Sequence, residues 1–232
     1  MDKSGTHYQR MRDLVSRFCA EVCAPSLGTK CVVHQTIPTF RVHIPGTGKN
    51  LGSRHKDADY NHQPGEVNFW LPLTQVFGTN SLWSESAPGK GDYHAFEAEL
   101  GQVVRFWGNQ CEHYTVENVE NITRVSLDFR VIPCECYIPH YLPTALLAKN
   151  PNRTVVSYEI GGWYQWCVQP GEEADFYDWM EEGSNKQNEL GQEQPETGSL
   201  ISLSPTKVDS SMALEDFAPR LDLIGLADDD DY

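Results

Sequence analysis

The stretch Arg124–Val131 alternates without a break. Arg124, Ser126, Asp128 and Arg130 fall at one parity, Val125, Leu127, Phe129 and Val131 at the other. A period of two belongs to a β-strand, whose successive side chains leave opposite faces. Any fold that holds this segment must therefore give it two surroundings. The apolar face calls for a helix or a second sheet; the polar face suits either a wet edge or the wall of a polar cavity.

The rest of the chain agrees with a β framework. Between residue 31 and about 168, short β-type runs at Cys31–Val33, Thr39–Ile44, Glu66–Leu73, Gly101–Trp107, Asn121–Ile132, Thr154–Tyr158 and Tyr164–Val168 are separated by Gly, Pro and Asn. Many short strands with turn signals between them predict a mainly β domain of packed antiparallel sheets, a sandwich or barrel. One helix precedes them. Residues 7–24 place Met11, Leu14, Val15, Phe18 and Val22 at helical spacing, and Pro25 and Gly28 are its stop signals. Cys19 and Cys23, one turn apart on it, read as small buried packing residues. The Gly-rich stretch Ile44–Gly52 lacks the Lys-Ser/Thr ending of a phosphate loop, because Asn50 follows Lys49. It reads as a mobile flap or a plain connection.

Charge divides the chain. The net charge is −15, yet residues 171–232 carry 17 acidic and 3 basic side chains, leaving residues 1–170 nearly neutral. The expected organisation is a folded domain over 1–182 and an acidic, flexible tail over 183–232. Apolar anchors at Met212–Phe217 and Leu221–Leu226 make that tail a possible protein-docking segment. No Lys/Arg block exists to release counterions from nucleic acid or an anionic membrane, so neither is an expected partner. No apolar run is long enough to span a bilayer, and the first residues lack the layout of a secretory signal. With an odd seven Cys in no framework spacing, free thiols and a cytoplasmic location are expected, Cys134 and Cys136 included. The glycosylation patterns at Asn121 and Asn152 carry little weight in that setting.

The chemistry-bearing residues are His55 and Asp57, in His55-Lys56-Asp57, and the distant His113. On an extended segment two residues two apart share a face, so one short stretch can present His55 and Asp57 to the same ion. Two imidazoles and a carboxylate are the set a redox-active Fe(II) takes when three coordination positions stay open. Arg124 and Ser126 follow His113 closely. A guanidinium recognises a carboxylate in a fixed fork, and a neighbouring hydroxyl adds a donor. Arg130 shares their face and is the competing clamp.

This ordered set resembles the Fe(II)/2-oxoglutarate-dependent oxygenase superfamily, through motifs spread over roughly residues 34–135 and a weaker likeness at Ser157–Tyr164. The stretches His55–Tyr60, Glu66–Thr74 and Thr123–Arg130 are most similar to oxygenases associated with streptomycin-type biosynthetic clusters. The resemblance implies a double-stranded β-helix of the jelly-roll or cupin type. It makes His55, Asp57 and His113 the iron ligands, and Arg124 and Ser126 the site for the distal carboxylate of 2-oxoglutarate. It implies O2 as co-reactant and succinate and CO2 as products, with oxidation of a C–H bond in a small polar molecule. Halogenating relatives have a small residue where this chain has Asp57, so hydroxylation, desaturation or ring formation is the implied outcome.

Other residues are placed around this set. Asn68 is expected to touch the cosubstrate, the substrate or a structural partner, Tyr60 and His62 to line the pocket, and Trp83 to flank the entrance or pack. Two other function classes fit part of the pattern. A cupin-like sugar isomerase or epimerase could use the same ligands with another divalent metal, and a silent binding protein could retain the fold.

Overall fold

The computed structural model describes residues 5–141 and 158–172, and the backbone of residues 222–225. The expected strand at Thr154–Tyr158 lies outside the described residues except for Tyr158, as does the acidic tail up to residue 221.

The N-terminal helix α1 spans Thr6–Phe18. A π-helical turn, Cys19–Cys23, and the short helix α2, Ala24–Ser26, continue it. Pro25 therefore does not stop the helix, as the sequence suggests; it sits inside the last turn. Proline cannot donate to the carbonyl four residues back and crowds it, and a widened turn just before it relieves both problems. The stop is Gly28, at φ +70°. Thr29 N bonds Ala24 O at 3.1 Å and Gly28 N bonds Pro25 O at 3.0 Å, the pairing in which a left-handed residue satisfies the last carbonyls.

Among the described residues ten strands follow, all paired antiparallel: β1 Cys31–Gln35, β2 Thr39–His43, β3 Val67–Pro72, β4 Trp83–Ser84, β5 His94–Ala95, β6 Gln102–Phe106, β7 His113–Tyr114, β8 Arg124–Pro133, β9 Tyr164–Val168 and β10 Asp222–Gly225. They form a seven-stranded sheet in the order β10-β6-β3-β8-β1-β9, with β2 also on β8, and a three-stranded sheet β5-β4-β7. The ten-residue β8 is the spine. Its first half pairs with β2 and its second half with β1, while β3 runs along its other side. Strand β10, from the sequence's tail, adds to the edge of β6.

Two apolar layers fix the arrangement. Outside the large sheet, Val67, Phe69, Val103, Phe129 and Val131 meet Val15, Cys19, Ala20 and Cys23 of the helix. On the inner side Trp70, Val104 and Phe106 pack against Phe96 and Leu82, next to the small sheet. The molecule is thus mainly β, with one N-terminal helix and antiparallel sheets in a jelly-roll-like sandwich.

Two expectations about packing change. Met11 and Leu14 are exposed, because the helix docks through small residues that let it approach the sheet closely. Helix cover also reaches only the Phe129–Val131 half of β8. Val125 and Leu127 stay half-buried beside the exposed Phe40 and Val42 of β2.

The thiol expectation is overturned for two of the seven Cys. Cys31 and Cys134 form a disulfide, with Cα atoms 5.4 Å apart. The β1–β8 register pairs Val32 with Pro133, which brings the two Cys opposite each other across 103 residues of sequence. Cys19, Cys23, Cys111, Cys136 and Cys167 are free.

Among the described residues no helix is long and apolar enough to cross a membrane.

Candidate metal centre

His55, Asp57 and His113 converge. One potential ligand atom from each lies within 4.8 Å of the others, and this is the only such trio of His, Cys, Asp or Glu among the described residues. Asp57 Oδ1 is 3.6 Å from His55 Nε2 and 3.7 Å from His113 Nε2. The extended segment expected for the His55–Asp57 pair is short: His55 is a single bridge residue, and Asp57 already begins a 3-10 turn, Asp57–Tyr60. The shared face survives, since Lys56 between them is extended at φ −109°, ψ 146°.

Backbone contacts decide which ring nitrogens are available. His55 Nδ1 is 2.6 Å from Ser53 O, and His113 Nδ1 is 3.1 Å from Cys111 O. A carbonyl only accepts, so each Nδ1 carries a proton, and Nε2 is the ring atom left for a metal ion. Burial alone would raise the Asp57 carboxyl, but the His55 contact and the Arg130 charge outweigh it and hold it well below the usual carboxylate range. Burial pushes His113 down, while the contact with Asp57 pulls His55 up.

Asp57 is gripped from behind. Arg130 Nε donates to Oδ2 at 3.0 Å and Arg130 Nη2 to Oδ1 at 3.1 Å. Asn68 Nδ2 donates to Oδ2 at 2.7 Å. Arg130 is therefore engaged, and it also reaches Asp128 and Gln35, each at 3.4 Å. Asn68 lines the cavity, and its amide nitrogen goes to Asp57, the structural partner among the alternatives; its Oδ1 has no partner among the described residues.

A cavity joins His55 and His113 to the polar face of β8. Its wall includes His55, His113, Asn68, Trp70, Phe106 and Arg124. Arg124 is 1% exposed. Its Nε and Nη1, and the Oγ of buried Ser126, have no hydrogen-bond partner among the described residues. The guanidinium carbon lies 5.4 Å from the centre of the Trp70 ring. Burial, with Arg41 nearby, pushes Arg124 down to about 10. A buried guanidinium with open N–H groups on a cavity wall has donors to spare for an anion.

The remaining expectations divide. His62 is not on the cavity wall: its Nδ1 lies 2.7 Å from the fully buried Glu66 and its ring stacks on Tyr158. Tyr60 stands edge-on to His55 but is exposed. Trp83 packs on Tyr114 and donates to Gly78 O. The Ile44–Gly52 segment is a tied-down connection, with Leu51 and Gly52 both donating to Thr115 Oγ1 and lining the cavity. Sequence reasoning missed Gly108, whose carbonyl accepts from Asp57 N at 2.9 Å. A Cβ there would lie 2.8 Å from the Asn68 side chain. It also missed Arg41, which grips Asp128 at 2.6 Å on the cavity wall. Neither has a local sequence signal.

No family model matches the chain. It is similar to the streptomycin biosynthesis protein StrG of Streptomyces griseus, 42% identical over 106 residues, which are 46% of this chain and 49% of that protein. The chain thus spans about half the length of the curated relative it matches. Among solved structures it is similar to a non-heme monooxygenase, ThoJ, in its apo form (TM-score 0.39, 15% identity, 47% of this chain and 50% of that one). The ThoJ–Ni complex gives a TM-score of 0.37 at 14% identity, over 73% of this chain and 70% of that one.

Proposed function

We propose that this chain is an Fe(II)- and 2-oxoglutarate-dependent oxygenase that hydroxylates a C–H bond of a small polar molecule, with formation of succinate and CO2. The observation that carries the reading is Arg124, a buried guanidinium with Nε and Nη1 unpartnered among the described residues, lining the same cavity as His55 and His113 of the candidate ligand trio. A metal isomerase or epimerase acting on an uncharged sugar would leave the Arg124 guanidinium without an anion.

The residues fit the ion. Two imidazole Nε2 lone pairs and one carboxylate oxygen would hold Fe(II) on one face and leave the opposite face open. Iron bound there would supply the activation of O2 and the oxidative decarboxylation of the 2-oxo acid. The chain's residues do the rest. Arg124 and Ser126 bind the distal carboxylate, which orients the 2-oxo acid end toward His55, Asp57 and His113. Trp70, Leu82 and Phe106 form the dry side of the cavity and exclude water from it. The partial match to a biosynthetic protein agrees with a small-molecule substrate.

An anaerobic titration tests this. The Fe(II) protein should develop a visible charge-transfer absorption on adding 2-oxoglutarate, and admitting air should release succinate. An isomerase or epimerase would turn over its sugar without O2 and make no succinate. Fe(II) bound with neither absorption nor succinate would overturn the proposal.

A further inference from the structure

The carboxylate of Asp57 is held asymmetrically. Oδ2 accepts from Asn68 Nδ2 at 2.7 Å and from Arg130 Nε at 3.0 Å, and Arg130 Nη2 is also 3.0 Å away. Oδ1 takes only Arg130 Nη2, at 3.1 Å, and faces both imidazole Nε2 atoms. A carboxylate has about four lone-pair directions, and those of Oδ2 are filled from the side away from the imidazoles. The donors themselves are fixed. Arg130 and Asn68 sit opposite each other in the β3–β8 register, Arg130 is further tied to Asp128, and Gly108 closes the space behind Asn68 so tightly that no side chain fits there.

We propose that Arg130 and Asn68 are positioning residues that restrict Asp57 to one-oxygen ligation, so that the metal keeps three open coordination positions rather than two. The inference rests on the reading of His55, Asp57 and His113 as the ligand set. Arg130 works by geometry, not by attraction. Its charge repels a cation, and its hydrogen bonds lower the basicity of the ligand, so its contribution is a fixed carboxylate plane. Three positions are the number that a chelating 2-oxo acid and O2 together require. A carboxylate free to swing into two-oxygen ligation would take one of them.

Mn(II) as the probe decides the matter, through the number of exchangeable waters on the bound ion measured by its magnetic resonance line broadening in 17O-enriched water. Wild type should show three. Arg130→Met and Asn68→Leu should each show two, with 2-oxoglutarate binding to the Mn(II) protein weakened about 10- to 100-fold, the range for loss of a partner behind a metal ligand. Arg130→Lys, which keeps the charge but not the fork, should behave like Arg130→Met. Asn68→Leu keeps the buried Arg130–Asp57 ion pair and so provides a folded variant if Arg130→Met does not fold. Three waters in the folded variants would overturn the inference. So would loss of 2-oxoglutarate binding with the water count unchanged, which would make Arg130 an anchor for the cosubstrate. If wild type binds no Mn(II), the ligand-set reading itself fails, and that outcome is distinct from the others.

Discussion

His55 and His113 exchange a pair of backbone hydrogen bonds, His113 N to His55 O at 2.9 Å and His55 N to His113 O at 3.2 Å. Their rings lie 4.4 Å apart, centre to centre. A single antiparallel bridge therefore sets the spacing of two ligands from distant parts of the chain. The ladder that holds the backbone also holds the site.

Arg124 should trade stability for binding. Arg124→Met is expected to weaken 2-oxoglutarate binding to the metal-loaded protein by roughly 1.5–3 kcal/mol, the range for hydrogen bonds to charged groups. The apo variant should be as stable as wild type or more so, because the native guanidinium is buried with open N–H groups. Calorimetric titration and thermal unfolding check the two halves. Unchanged affinity would remove Arg124 from the site.

Asp57→Ala is expected to abolish metal binding and turnover. It should also destabilise the apo protein by about 3 kcal/mol, toward the low end for breaking a buried ion pair, since Arg130 keeps Asp128. Denaturant titration of the metal-free variant measures this separately from activity. Unaltered apo stability would mean that the Arg130–Asp57 pair adds nothing to the fold.

Gly108→Ala places a methyl group 2.8 Å from the Asn68 amide. That amide is held by its bond to Asp57 and must shift, so a loss of about 1–3 kcal/mol is expected, together with a changed water count on bound Mn(II). A variant with wild-type melting and wild-type Mn(II) resonance would show that the packing gives way without consequence.

The disulfide makes a counting prediction. Protein denatured without reductant should titrate five thiols, and reduced protein seven. Removing the Cys31–Cys134 link, which closes a loop of about a hundred residues, should cost about 2–5 kcal/mol. Seven thiols before reduction would disprove the pairing.

Alkaline pH should loosen the Glu66 cluster. Burial, reinforced by Glu66, raises the Tyr164 hydroxyl well above its ordinary value. Its contribution is therefore full below about pH 10, the unfolded value, and falls as pH rises toward the folded one, because only the unfolded chain has then released the proton. Tyr164→Phe should flatten the decline above pH 10 by up to about 1.4 kcal/mol per pH unit. Parallel stability–pH curves for the two proteins would count against this.

Periodicity and spacing made several things readable without coordinates. The period of two in Arg124–Val131 assigned Arg124, Ser126, Asp128 and Arg130 to one face of β8, and all four are buried there. An extended link two residues long put His55 and Asp57 on one side. Such properties are local, because a strand's pleat or a helix's turn is set within a few residues. Element ends were less readable. Strands β4, β5 and β7 are two residues each, too short to carry a pattern.

Tertiary structure decided what local pattern leaves open. Parity cannot say which arginine of one face meets which neighbour; the β3–β8 register gives Arg130 to Asn68 and Asp57, while the β2–β8 register puts Arg124 opposite His43. The same kind of pairing joined Cys31 to Cys134, and close docking by Cys19, Ala20 and Cys23 left Met11 and Leu14 in solvent. A sequence by itself states which side each residue takes. Register and packing, settled by contacts between distant segments, determine what waits on that side.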